Sequence, residues 1–201
     1  RLAVKSFGQQ SLALAKGGVD LLWLETFSDI NEIKAAIEGS MQTGLPIVAT
    51  MSFDTVGKTM MGISPKEFVS FMEKQQNIFA YGANCGLGLD ELLQTVGEMQ
   101  NAGAKNIVAK SNFGIPVFHD GLIKYNTTEK SLHDYAVKAR NMGALFLGGC
   151  CGTDAKHIKI MKEILKKTPY KYLKYEQSNS LNRENKKRRR NRRIKIDIKK
   201  V

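Results

Sequence analysis

Five times along this chain a short apolar run hands over to an amphipathic helical pattern, and that alternation limits the fold severely. The runs are Leu21 to Leu24, Pro46 to Met51, Ile78 to Tyr81, Asn106 to Ala109 and Ala144 to Leu147. Helical patterns follow each of them. Asn31 to Ile37 places Ile33, Ala36 and Ile37 on one face, and Ser64-Pro65-Lys66-Glu67 opens a second helix with Pro at its first position. Asp90 to Leu93, Ser131 to Val137 and Asp154 to Met161 begin the other three. Near-continuous apolar strands separated by helices imply a parallel sheet, because parallel neighbours need a crossover and the crossover covers the sheet.

The fold class expected is therefore α/β. A further helix from Phe7 to Lys16, ended by Gly17-Gly18, stands before the first run and would follow a strand that the chain does not contain. A closed barrel of eight βα units takes ~250 residues, and five strands do not close. The expectation is the C-terminal portion, about five βα units, of a (β/α)8 TIM-type barrel with its N-terminal units missing. An opening of Arg1-Leu2-Ala3-Val4-Lys5, without Met, agrees with that. Such a piece alone is expected to be inactive and poorly stable, since an unclosed barrel exposes strand edges.

Charge divides the chain in two. The net charge of +12 is concentrated in residues 183–201, where eleven Lys or Arg meet two acids, so the body is close to neutral. We expect a folded domain over residues 1–168 and a basic, disordered tail over 169–201, because blocks of like charge repel. The tail is expected to have no dedicated nucleic-acid partner. No apolar run approaches the ~20 residues needed to span a bilayer, and no secretory signal is present. Membrane association is not expected.

The unusual residues all fall where a strand hands over to its helix: Glu25-Thr26, Ser52-Phe53-Asp54, Asn84-Cys85, Asn112 and Cys150-Cys151. In parallel α/β folds that edge carries the active site. The three cysteines lie in Gly82-Ala83-Asn84-Cys85-Gly86 and Gly148-Gly149-Cys150-Cys151-Gly152. A free cysteine often serves as a small core hydrophobe, but adjacent residues on a strand point to opposite faces and cannot both fill one core. A disulfide would leave one thiol over. Three thiols in glycine-lined turns suit a soft metal such as zinc, assembled by the fold, since 65 residues separate Cys85 from Cys150. His157, on a helical turn after the cysteine pair, reads as a surface histidine, and Trp23 as core packing.

Asp20-Leu21-Leu22-Trp23-Leu24-Glu25-Thr26, Gly82-Ala83-Asn84-Cys85, Lys110-Ser111-Asn112-Phe113-Gly114-Ile115-Pro116 and Gly148-Gly149-Cys150-Cys151-Gly152-Thr153 together resemble the zinc-dependent homocysteine S-methyltransferase family. Met51-Ser52-Phe53-Asp54 and Gly57-Lys58-Thr59-Met60-Met61-Gly62 are most similar to the stand-alone bacterial betaine-homocysteine enzymes. The resemblance implies zinc held by Cys85, Cys150 and Cys151, with a fourth position for the homocysteine thiol. It implies that Glu25 takes the homocysteine amino group and that Thr26 and Asn112 belong to the substrate site. Helix capping by Glu25 and turn chemistry by Asn112 stand beside those roles. Phe113 departs from the family pattern, where a smaller residue is expected.

The implied reaction moves a methyl group from an onium donor, betaine favoured, to homocysteine, giving methionine. The partners implied are these small molecules, homo-oligomerisation is left open, and the compartment expected is the cytoplasm. The homocysteine module of a cobalamin-dependent methionine synthase and an S-methylmethionine-dependent enzyme are the alternatives within the class. Outside it stand a phosphate site at Gly148-Gly149 and Gly152-Thr153, which leaves the cysteines unexplained, and a pure binding role.

Overall fold

A computed structural model of the chain describes residues 1–114, 117–119, 122–125 and 127–176. Its centre is a five-stranded sheet of β1 (Leu22–Phe27), β2 (Ile47–Met51), β3 (Ile78–Cys85), β4 (Ile107–Ser111) and β7 (Ala144–Gly149). The strands lie in the order β1-β2-β3-β4-β7, and every neighbouring pair is parallel. Helices α1 (Leu2–Lys16), α2 (Ile30–Ser40), α3 (Pro65–Met72), α4 (Leu89–Asn101), α5 (Glu129–Asn141) and α6 (Ala155–Lys167) precede or follow the strands as the pattern predicts. The expected parallel α/β sheet is present.

Local chemistry sets the helix starts. Ser64 accepts from the Glu67 N–H while the Glu67 carboxylate accepts from the Ser64 N–H, a reciprocal capping box with Pro65 just inside it. Asp29 caps α2 by accepting from the Asn31 and Glu32 amides. Asp154 and His157 form the corresponding box at α6. His157 thus serves as a helix cap, with its ring centre 4.1 Å from that of Phe113 and the two ring planes tilted by 50°.

Alternation along the strands gives the sheet two unlike faces. Ile47, Ala49 and Met51 of β2, Tyr81 and Ala83 of β3, and Ile107 and Ala109 of β4 join Ile33, Ile37, Phe68, Met72, Val96, Met99 and Leu132 in one buried core under the helices. The residues between them, Val48, Ala80 and Val108, form a separate small cluster with Leu21, Trp23 and Phe146. Gly82 belongs to that second set. A Cβ there would stand 2.0 Å from the Val108 carbonyl oxygen, so only glycine lets β3 and β4 run this close.

Three features depart from the expectation. The first helix begins at Leu2, not Phe7. The loop after β4 carries an antiparallel hairpin, β5 (Val117–His119) with β6 (Leu122–Lys124), which no apolar periodicity announced. Beyond Thr168 the chain does not leave the body at once. Leu173 donates its N–H to the Asn141 carbonyl, the Tyr175 N–H donates to Gln100 Oε1, and the Gln100 amide donates to the Leu173 carbonyl, at 2.8 Å each. The Tyr175 ring fills the space over Gly97, where a Cβ would meet it at 2.1 Å. The segment to Glu176, the first part of the tail expected to be disordered over 169–201, is therefore docked on α4 and α5, and the remainder, 177–201, lies outside the described residues.

Candidate metal centre

All five handover positions lie at the C-terminal edge of the sheet, and backbone irregularity marks two of them. Between Leu24, which pairs with Ala49, and Phe27, which pairs with Met51, β1 carries one residue more than β2. This bulge holds Glu25 and Thr26, and Thr26 sits at φ 67°. Cys85 ends β3 at φ 62°. Left-handed backbone at a β-branched residue costs on the order of 1–3 kcal/mol and persists only where its surroundings impose it.

The residue that imposes it is Asn84, which is fully buried on the sheet's second face. Its Oδ1 accepts from the Thr26 N–H at 3.1 Å and from the Thr50 hydroxyl at 2.7 Å. Its Nδ2 donates to Thr26 Oγ1 at 2.7 Å and reaches the Cys150 sulfur at 3.9 Å. One amide therefore binds the β1 bulge, β2 and the thiol loop after β7. The sequence marks Asn84 as part of the handover before Cys85 but gives no sign of these long-range bonds.

The thiols converge. Cys85 and Cys151 sulfurs are 4.0 Å apart and those of Cys150 and Cys151 3.9 Å, with all three within 4.8 Å of one another. Disulfide sulfurs stand at ~2.05 Å, so these are free thiols. Four sulfurs arranged tetrahedrally at ~2.3 Å from zinc would be separated by roughly 3.8 Å. The two separations to Cys151 fit that donor set. Cys151 is exposed and the other two are half-buried, so the cluster can be reached from solvent. Burial, and then the neighbouring Cys150 and Cys151 thiols, push the Cys85 thiol up to about 12. Without a cation Cys85 resists ionisation, and a metal must displace its proton to bind there. Among the described residues no His, Asp or Glu joins the group.

The loop after β4 braces both cysteine segments. The Phe113 N–H donates to the Cys151 carbonyl and the Cys150 N–H to the Ser111 carbonyl, each at 2.8 Å. Asn112 donates through Nδ2 to the Gly86 carbonyl, one residue past Cys85, and accepts from the Gly114 N–H. Its side chain is thus engaged within the loops. Beneath them the Tyr135 hydroxyl donates to the Ala109 carbonyl at 2.8 Å and accepts from the Ser111 N–H at 3.2 Å. Burial raises the Tyr135 phenol well above its ordinary value, so it remains a donor at any working pH. Phe113 is buried against Tyr125 and His157.

The profile of the homocysteine S-methyltransferase family matches residues 2–165. The chain belongs to that family. It is 31% identical over 178 residues to betaine-homocysteine S-methyltransferase 1 of Rattus norvegicus and 30% identical to the Mus musculus protein of the same name. Each match takes in 80% of this chain and 43% of the relative, so the chain spans less than half the length of these relatives. Among solved structures, the apo form of the homocysteine methyltransferase MmuM from Escherichia coli superposes with a TM-score of 0.63 at 21% identity, over 80% of this chain and 57% of that one. The metallated form of MmuM gives the same score at 22% identity, over 80% and 51%. These two show a shared fold.

Within this family member, Glu25 and Thr26 lie on the same edge as the cysteines, as the motifs predict. Glu25 is paired with Lys110 of β4, whose ammonium also stands 5.0 Å from the centre of the Trp23 ring. Trp23 packs edge-on against Phe146 as a core residue would, and it also faces a cation. No helix of the described residues is long and apolar enough to cross a membrane.

Proposed function

We propose that the protein is a zinc-dependent methyltransferase that transfers a methyl group from an onium donor to the thiolate of homocysteine, giving methionine. The observation that carries this reading is the convergence of Cys85, Cys150 and Cys151 within 4.8 Å of one another on the C-terminal edge of the sheet, in a member of this family. These three cysteines would hold the metal. Zinc bound there supplies the charge that keeps a substrate thiol, of free pKa ~8.5, in its nucleophilic thiolate form at neutral pH.

The chain's own residues do the positioning. Asn84 holds the Cys150 sulfur through its amide and fixes Thr26 at the bulge. Glu25 offers a carboxylate to the α-ammonium of homocysteine, a charge-assisted contact. Asn112 acts on the substrate site by holding the Cys85 segment at Gly86, while the next residue, Phe113, holds Cys151. We read the sheet as about five units of a (β/α)8 barrel whose inner face is the one carrying Val48, Thr50, Asn84 and Lys110. Thiolate ligands suit a reducing compartment such as the cytoplasm.

Identity to betaine-homocysteine methyltransferases of two species supports betaine as donor. Assays with betaine, S-methylmethionine and methylcobalamin, run on a version of the protein extended to a closed barrel, test the reading. Turnover with betaine by protein carrying one zinc per chain is expected; turnover only with methylcobalamin, or by metal-free protein, contradicts it.

A further inference from the structure

Lys110 and Glu25 form an ion pair on the inner face of the sheet that spans two intervening strands, since β1 and β4 are separated by β2 and β3. Two features make the long reach of Lys110 possible. Its stem lies over β7 at Gly148, where a Cβ would stand 3.2 Å from Lys110 Cγ. Its ammonium is received by the face of Trp23 at 5.0 Å. Lys110 is in register with Asn84 on one side and Gly148 on the other, so it lies beside the residues that lead into Cys85 and Cys150. Both side chains keep partial exposure, 23% for Lys110 and 35% for Glu25, so the pair is reachable by a ligand yet incompletely screened.

Only Oε1 of Glu25 is engaged by Lys110; among the described residues no hydrogen bond falls on Oε2. An entering ammonium can therefore join the carboxylate without expelling Lys110. That addition has an electrostatic consequence. The resident pair is neutral. A plain amine seated on Oε2 would place a second positive charge beside Lys110 with nothing to offset it, whereas an amino acid brings its own carboxylate and adds no net charge.

We propose that Lys110 is a specificity-determining residue, whose ammonium on Glu25 makes this site accept a thiol amino acid as the zwitterion and disfavour the same thiol amine lacking a carboxylate. The inference rests on the reading of Glu25 as the seat of the homocysteine ammonium. It assigns Lys110 a role in selection and none in the chemical step.

Trp23 is the only tryptophan of the chain and lies against Lys110, so its fluorescence reports binding directly. Zinc-loaded protein is titrated with homocysteine and with 3-aminopropane-1-thiol. Wild type should bind homocysteine at least ~10-fold more tightly. Lys110→Met should shrink that ratio by strengthening the amine, and Lys110→Arg should preserve it. An unchanged ratio in Lys110→Met, or loss of both ligands together in a folded Lys110→Met protein, overturns the inference. Equal binding of both thiols by wild type overturns it as well while leaving the proposed function standing. Binding of neither removes both.

Discussion

The two faces of one sheet are built from alternate residues of the same strands and have opposite characters. The helix-covered face is apolar along its length, from Ile47, Ala49 and Met51 to Ile107 and Ala109, and every one of these is buried. The second face holds only a small cluster around Val48, Ala80 and Val108, and toward the C-terminal edge it turns polar with Thr50, Asn84, Lys110 and Glu25. Burying polar groups costs free energy unless each finds a partner. Asn84 meets that requirement with four contacts on three elements, which is why a fully buried amide can sit there. The covered face holds the fold together; the second face carries the residues proposed to position the chemistry.

Substitutions can break that division. On the covered face, Phe68→Ala removes a fully buried ring that packs against Phe53 and Tyr81. It should cost ~3–5 kcal/mol of stability in denaturant unfolding, while the zinc affinity of the remaining folded protein stays unchanged. On the second face, Asn84→Ala should instead weaken zinc binding ~10–100-fold in a chelator competition. If Asn84→Ala moved stability alone, the two faces would not differ as described.

Tyr135 sharpens the comparison because it belongs to the covered core yet supports the thiol edge. Tyr135→Phe removes two buried hydrogen bonds, to the Ala109 carbonyl and from the Ser111 N–H, and it should cost ~1–3 kcal/mol. Since the Ser111 carbonyl receives the Cys150 N–H, a smaller loss of zinc affinity should accompany it. Unfolding and zinc titration of this variant measure both effects.

The smallest effect expected is one of pH, and its sign should depend on the metal. In metal-free protein the Cys85 thiol is raised to about 12 by burial and then by its neighbouring thiols. Its contribution to stability is present below the ordinary thiol pKa of ~8.5 and is lost as pH rises through about 12. With zinc bound the thiolates are required, so binding weakens as pH falls. Melting curves of the two forms between neutral and alkaline pH should diverge; parallel curves would refute the assignment of Cys85.

Much of this was legible in the residues. Apolar runs and capping signatures are local, so five strands and their helices could be placed from Leu21 to Met161, and the glycine-lined cysteines sat at strand ends by the same reading. What escaped depends on distant pairing. Asn84 bridges to residues 58 and 66 positions away, and no spacing announces that Lys110 meets Glu25 across 85. The docked segment after Thr168 is extended and held by side chains of α4 and α5, so it carries no periodicity of its own.

The central claim is that three cysteines of this chain hold zinc and leave one position to the substrate thiol. X-ray absorption at the zinc edge tests it most directly. The account predicts three sulfur neighbours at ~2.3 Å in the loaded protein and a fourth at the same distance once homocysteine is added. Fewer than three sulfurs, or a shell that homocysteine does not change, would contradict it.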